Sequence, residues 1–61
     1  MFWNKEWKEI NPILRERADG KVRVEQDTER YWRIYELWDG VWELSSKHAR
    51  FDKAMKVAKD L

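Results

Sequence analysis

Residues 31–45 read YWRIYELWDGVWELS, and this stretch decides the fold. Two runs that are rich in aromatic and branched residues flank the dipeptide Asp39-Gly40. Asp-Gly suits a two-residue type I′ turn, because both central residues of that turn need a positive φ. The pattern therefore predicts a β-hairpin whose turn lies at Asp39 and Gly40.

The turn fixes which residues lie opposite each other and sorts the side chains onto two faces. The predicted pairs are Trp38 with Val41, Leu37 with Trp42, Glu36 with Glu43, and Tyr35 with Leu44. The predicted inner face carries Arg33, Tyr35, Leu37, Trp42 and Leu44. The predicted outer face carries Trp32, Ile34, Glu36, Trp38, Val41, Glu43 and Ser45.

A third strand precedes the hairpin, since Lys21-Val22-Arg23-Val24-Glu25 alternates between polar and apolar residues. A tight turn near Asp27-Thr28 would place Val24 opposite Tyr31 and Val22 opposite Arg33. Both valines would then join the inner face. The prediction is a three-stranded antiparallel meander.

Helical spacing appears at both ends of the chain. One helical stripe near the C-terminus consists of Phe51, Ala54, Met55, Ala58 and Leu61. This helix begins at Ser46 or at Asp52, since both residue types cap helices, and we expect it on the inner face. A second stripe near the N-terminus consists of Trp3, Trp7, Ile10, Leu14 and Ala18.

Pro12 interrupts the N-terminal stripe, which predicts two short helices or one kinked helix ending at Asp19-Gly20. The alternative makes residues 13–18 a strand that pairs with 21–26. It ranks second because it puts Arg15 and Arg17 on the inner face. The predicted fold is thus α+β in the order α-β-β-β-α, with both helices on one face and residues 1–61 forming a single domain.

Composition excludes several classes of function. The chain has 61 residues, no cysteine and one histidine, so disulfides and thiolate metal sites are excluded. His48 lies near Ser45 and Ser46, but no third group or oxyanion hole is indicated. We predict no enzyme, cofactor, metal or small-molecule substrate. The first residues do not fit a signal peptide and no apolar run is long enough for a membrane span, which predicts a cytoplasmic protein.

The outer face is the predicted binding surface for a protein partner or a second copy of the chain. Large apolar side chains there form an interaction patch, unless the N-terminal helix covers them. Glu36 and Glu43 would accept an arginine or lysine from the partner. The predicted partner-binding residues are Trp32, Ile34, Glu36, Trp38, Val41 and Glu43. The predicted function is a small interaction module, such as a phage or mobile-element regulator, and a homodimer is one form of it.

Nucleic-acid binding is the alternative function. It would use the basic residues of the last segment, Lys47, Arg50, Lys53, Lys56 and Lys59. A solvated helix explains the same lysines, and the formal net charge of the chain is only +1. We therefore rank protein binding first.

Two topological resemblances accompany this alternative. Ser45-Ser46-Lys47-His48 before an alanine-containing helix resembles the helix start of double-stranded-RNA-binding domains. Residues 30–59 are similar to the three-strand-plus-helix DNA readers of the AP2 and integrase-arm type, in which Trp32, Gly40, Phe51 and Ala54 follow the same order. Those domains read DNA with basic residues on the exposed sheet face, whereas the predicted outer face carries Glu36 and Glu43.

Overall fold

The computed structural model describes residues 7–61, which form one antiparallel sheet and one helix. The five strands follow chain order across the sheet, so each is joined to its neighbour as in a meander. The elements are β1 (Trp7–Asn11), β2 (Leu14–Arg17), β3 (Val22–Gln26), β4 (Trp32–Trp38), β5 (Val41–His48) and α1 (Phe51–Lys59). The predicted three-stranded α-β-β-β-α fold is therefore wrong, although its C-terminal helix is present.

The β4–β5 hairpin forms as predicted. Asp39 and Gly40 both have positive φ, at 50° and 78°. The observed pairs are Trp38 with Val41, Leu37 with Trp42, Glu36 with Glu43, and Tyr35 with Leu44. Beyond Tyr35 the register shifts, so that Ile34 lies opposite Ser46 and Ser45 is the extra residue of a β-bulge.

The predicted register between β3 and β4 is wrong. Val24 lies opposite Ile34, and Val22 lies opposite Glu36. The loop before β4 is longer than a tight turn, because the Asp27 carboxylate accepts the amides of Glu29 and Tyr31, both at 2.9 Å. The pairing partner of Val24 thus moves from Tyr31 to Ile34, an odd number of positions, which transfers both valines to the other face.

Helix α1 packs on the face that was predicted to be outer. Ala54 and Ala58 are fully buried there, together with Val22, Val24 and Ile34. We name this side the helix face and the opposite side the open face. Helical spacing correctly predicted the stripe, since Met55 and Leu61 also pack against the core. The helix begins at Phe51 after Arg50, so neither Ser46 nor Asp52 is its N-cap residue.

No helix precedes β3 within residues 7–21, so the predicted N-terminal helix is wrong over that range. Trp3 lies outside the described residues. Instead, β1 and β2 form a hairpin in which the side chain of Asn11 accepts the Ile13 amide at 3.0 Å. The strand alternative for residues 13–18 is essentially what forms, since β2 pairs with β3.

The two arginines that argued against this strand lie on the helix face with their charges compensated. Arg17 is 8% exposed, forms an ion pair with Asp19 at 2.8 Å and donates to the main-chain oxygen of Leu61 at 2.6 Å. Arg15 forms an ion pair with Glu9 at 2.9 Å, and its guanidinium lies 4.4 Å from the ring centre of Phe51. Paired and stacked arginines are compatible with a face that packs against a helix.

Replacing Gly40 tests the turn that sets the β4–β5 register. A Cβ on Gly40 would meet no atom within 4 Å, so any loss of stability comes from backbone strain at φ 78°. We expect Gly40→Val to lower the free energy of unfolding by more than about 1 kcal/mol, because β-branched residues are strained at positive φ. Gly40→Asn should lose clearly less unfolding free energy, because asparagine tolerates positive φ. Denaturant unfolding measures both, and equal losses would contradict the turn.

The Asp27 loop generates a pH prediction. Desolvation acts to raise the pKa of Asp27, but the amides of Tyr31 and Glu29 and the guanidinium of Arg33 outweigh it and hold that pKa below its ordinary value of 3.8. A lowered folded-state pKa stabilises the protein above pH 3.8 and loses that effect as the pH falls through the folded value.

We therefore expect Asp27→Asn to have a lower melting midpoint than the wild type at about pH 7, and the difference to shrink once the wild-type carboxyl is protonated. Asp52→Asn is the comparison, because its ion pair with Arg50 is far more exposed and should contribute less. Thermal unfolding across the acid range measures both variants. A difference in melting midpoint between Asp27→Asn and the wild type that does not change with pH would contradict the role of this carboxylate.

Candidate functional site

The predicted partner-binding residues all lie on the helix face, where they fall into a buried group and an exposed group. Ile34 is fully buried and Trp32 packs against the core, with its ring 4.7 Å from that of Phe51. These two residues belong to the core, which corrects their prediction as an exposed surface. The other four lie nearer the tip of the hairpin, where Trp38 and Val41 are each 59% exposed.

The helix leaves the tip uncovered because it is shorter than the strands beneath it. Nine helical residues span about 13 Å, whereas the seven residues of β4 span about 23 Å. Phe51 lies over Trp32, so α1 runs along the strands and ends before it reaches Trp38. The mismatch in length opens a groove beside the hairpin tip, which we name the tip groove.

The tip groove has a volume of about 420 Å³. The buried side chain of Val22 lies in its lining, and Leu61 and Trp38 contribute large apolar surfaces. The complete lining is Arg17, Lys21, Val22, Glu36, Leu37, Trp38, Asp39 and Leu61. Strands β3 and β4, the β2–β3 loop and the residue after α1 therefore build the groove together.

Arg17 is a structural part of this groove. The Arg17 guanidinium hydrogen-bonds the Asp19 carboxylate and holds the pKa of that carboxyl below its ordinary value. The same guanidinium donates to the main-chain oxygen of Leu61, which ties the end of the helix to β2. Because its guanidinium is engaged by Asp19 and by the main-chain oxygen of Leu61, Arg17 holds the groove wall in place and is a poor site for an anion.

The tip groove and the adjoining part of β5 carry carboxylates without a basic partner. Glu36 and Glu43 lie directly opposite each other, where Cβ atoms are typically about 4.5–5.5 Å apart. Within residues 7–61, neither forms a side-chain hydrogen bond or an ion pair, and the same holds for Asp39 in the turn. Three carboxylates thus face the solvent near one lysine, Lys21, and make this end of the protein acidic.

The predicted nucleic-acid-binding residues do not form one surface. Lys47 lies on the open face, 4.5 Å from the ring centre of Tyr31 and 4.0 Å from the Asp27 carboxylate. Arg50 forms an ion pair with Asp52 at 3.1 Å. Lys53, Lys56 and Lys59 are exposed on α1, three residues apart. These three lysines lie together on one side of the helix.

His48 lies on β5 opposite Trp32, with its Nε2 atom 3.0 Å from the Ser46 hydroxyl. No carboxylate among the described residues hydrogen-bonds this histidine, so the pair lacks the acid that would orient a catalytic base. The described part of the chain holds no group of three or more potential metal ligands among its His, Cys, Asp and Glu residues. None of its helices is long and apolar enough to cross a membrane.

Sequence reasoning missed Arg17, Val22 and Leu61 as parts of the site. The signal that could have found them is the short helical stripe, which cannot cover the full length of the predicted strands. Comparison with protein-family models, with curated proteins and with solved structures found no match. The geometry of the tip groove is therefore the basis for a functional proposal.

The division of the helix face predicts opposite results for two tryptophans. Trp32→Ser removes a ring that packs on Phe51 and the core, and should cost about 2 kcal/mol or more of unfolding free energy. Trp38→Ser removes a ring that is 59% exposed, and should cost less than about 1 kcal/mol. Denaturant titration followed by circular dichroism measures both. Similar losses for the two variants would contradict the division.

Proposed function

We propose that this protein is a non-enzymatic interaction module that binds a protein partner in the tip groove. The observation that carries the proposal is the juxtaposition of exposed Trp38 and Val41 with the uncompensated pair Glu36 and Glu43. The matching partner is a peptide segment that presents an arginine or lysine beside an apolar side chain.

The apolar part of the groove suits one or two side chains of such a segment. Its volume of about 420 Å³ lies within the range of roughly 300–1,000 Å³ that is typical of ligand sites. Trp38 is half in solvent, and tryptophan is among the residues that contribute most at protein interfaces. Burial of its ring by a partner would recover hydrophobic free energy that the isolated chain forgoes.

The acidic part supplies charge complementarity. Like charges directly opposite each other on a sheet destabilise the folded state, so a cation between Glu36 and Glu43 would relieve repulsion as well as add attraction. The acidic groove would also speed the encounter with a basic partner at low ionic strength. A lysine alone would satisfy this side, but the neighbouring Trp38 ring favours arginine, which stacks on aromatic surfaces.

Selection of peptides from a random display library on the immobilised protein tests this proposal. We expect enriched peptides to carry arginine or lysine next to an apolar residue, and their affinity to fall as salt rises. Trp38→Ser should abolish binding, and Glu36→Gln with Glu43→Gln should weaken it at least about tenfold, or about 1.4 kcal/mol.

The control for this experiment is Lys53→Gln with Lys56→Gln, which changes charge on α1 away from the tip groove and should leave peptide affinity unchanged. Fluorescence polarisation of a labelled peptide measures all variants under the same conditions. Enrichment of peptides without basic residues, or full affinity in the double glutamate variant, would overturn the proposal.

Nucleic-acid binding by α1 is the second candidate, and the row of Lys53, Lys56 and Lys59 is the observation in its favour. Three phosphate contacts would give a salt slope of only about −2.7, which is shallow for a nucleic-acid-binding protein. The expected result is no submicromolar binding to double-stranded DNA or RNA near physiological salt. Fluorescence anisotropy tests this, and salt-sensitive submicromolar binding that is lost in Lys53→Glu, Lys56→Glu would reverse the ranking.

A further inference from the structure

The open face of the sheet has no partner among the described residues. Helix α1 contacts β3, β4 and β5 from the other side, where Val22, Val24 and Ile34 lie. The open-face side chains from β2 to β5 are Leu14, Glu16, Arg23, Glu25, Arg33, Tyr35, Leu37, Trp42, Leu44 and Lys47. A five-stranded sheet therefore has one face covered by a helix and one face bare in residues 7–61.

The part of the open face on β4 and β5 is apolar and aromatic. Tyr35 lies beside Leu44 and Leu37 beside Trp42 on these two strands, of which β5 is an edge strand of the sheet. The Arg23 guanidinium lies 4.3 Å from the ring centre of Trp42, which extends the flat surface onto β3. A shallow cavity of about 130 Å³ lies among Leu14, Arg23, Glu25, Tyr35 and Trp42. Leu44 is 52% exposed, so a substantial apolar area faces water.

The core formed by residues 7–61 lies on one side of the sheet and buries few apolar side chains. The buried apolar side chains of the described residues are Val22, Val24, Ile34, Ala54 and Ala58, none of them aromatic. Each of the described tryptophans keeps part of its surface in solvent. Domains of this size without disulfides or metals often gain the missing stability by oligomerisation.

We propose that the open face is a two-fold interface in which a second copy of this chain packs sheet against sheet. In such an interface the same patch meets itself, so it must be complementary to its own charge pattern. Tyr35, Leu37, Trp42 and Leu44 form the apolar part of this interface, and the two helices lie on the outside. The dimer is thus a sandwich with a shared core between the two open faces.

Charge balance supports a second copy as the occupant. The open face carries acidic and basic residues in alternation, with Glu16 opposite Arg23 and Glu25 opposite Arg33. Arg23 forms an ion pair with Glu16 at 2.9 Å, and Arg33 forms one with Asp27 at 2.9 Å. A face that carries acidic and basic side chains side by side presents little net field that would repel its own copy.

The same ion pairs argue against nucleic acid on this face. Lys47 also lies 4.0 Å from Asp27, so Arg23, Arg33 and Lys47 each have a carboxylate neighbour. A phosphate would have to displace these carboxylates and would meet Glu25 as well. A protein surface of matching composition meets no such penalty.

The size of the open face also fits a dimer. Five strands spaced by about 4.8 Å and about six residues long on average, at about 3.3 Å per residue, cover a projected area of about 475 Å². Side-chain relief makes the accessible area larger than this projection. It remains below the roughly 800 Å² per partner of a standard stable interface, in the size range of weak, reversible contacts. We expect association in the micromolar range.

Sedimentation equilibrium over a wide range of protein concentration tests this proposal. The expected result is a species of twice the 7.6 kDa chain mass at high concentration, dissociating on dilution. The melting midpoint should rise with concentration, because association stabilises the folded state by mass action. A monomer at every concentration up to about 1 mM would overturn the proposal, since the expected association is in the micromolar range.

Two matched variants identify the face. Leu44→Lys places a charge at an exposed position of the open face and should weaken dimerisation at least tenfold while the diluted chain stays folded. Val41→Lys places the same charge on the same strand at an exposed position of the helix face and should leave the dimer intact. Loss of the dimer in Val41→Lys alone would move the interface to the tip groove and overturn the assignment.

A second measurement uses only the wild type, so that unfolding of a charged variant does not affect its result. Backbone amide chemical shifts of the wild type at high and low concentration should differ on β3, β4 and β5 and remain unchanged on α1. Shifts confined to α1 would overturn the proposal. The tip groove and the dimer interface share Leu37 but no other residue, and Leu44→Lys leaves the lining of the tip groove unchanged, so the failure of one proposal leaves the other standing.

Discussion

The packing of Ala54 and Ala58 against Val22, Val24 and Ile34 is the contact on which the rest of the structure depends. Small alanine side chains let the helix approach the sheet closely, and the three branched side chains fill the space between them. This core is narrow, and α1 covers it by packing on β3, β4 and β5. Because the helix is short, it covers one end of the helix face and leaves the hairpin tip in solvent.

Both candidate binding surfaces exist because one short helix covers only part of the sheet. The tip groove exists because α1 ends before β4 does, and the open face is bare because the described chain has no second layer to place on it. One helix can cover only one side of a sheet. The two surfaces differ in charge. The carboxylates at the tip groove have no basic partner, whereas Arg23 and Arg33 on the open face form ion pairs with Glu16 and Asp27. This difference favours a basic peptide at the first and a second copy at the second.

The arginines of β2 show how tertiary contacts reverse a local argument. Alternation alone would place Arg15 and Arg17 against a helix, which is unfavourable for isolated charges. In the folded protein, Arg17 reaches both Asp19 and the main-chain oxygen of Leu61, and Arg15 lies over the Phe51 ring. The last two partners are supplied by the C-terminal segment, far along the chain. Reading β2 by itself could not reveal them.

The sequence by itself determined the local elements whose physics is local. Asp39-Gly40 specifies its turn through backbone φ, and the spacing of Phe51, Ala54 and Ala58 specifies a helix. Only the tertiary structure decided which sheet face is buried. That choice depends on the β3–β4 register, and the Asp27 side chain sets this register by organising a loop rather than a tight turn. Because an odd shift in register exchanges the two faces of a strand, one loop hydrogen-bond network determined which side meets the helix and which side is left open.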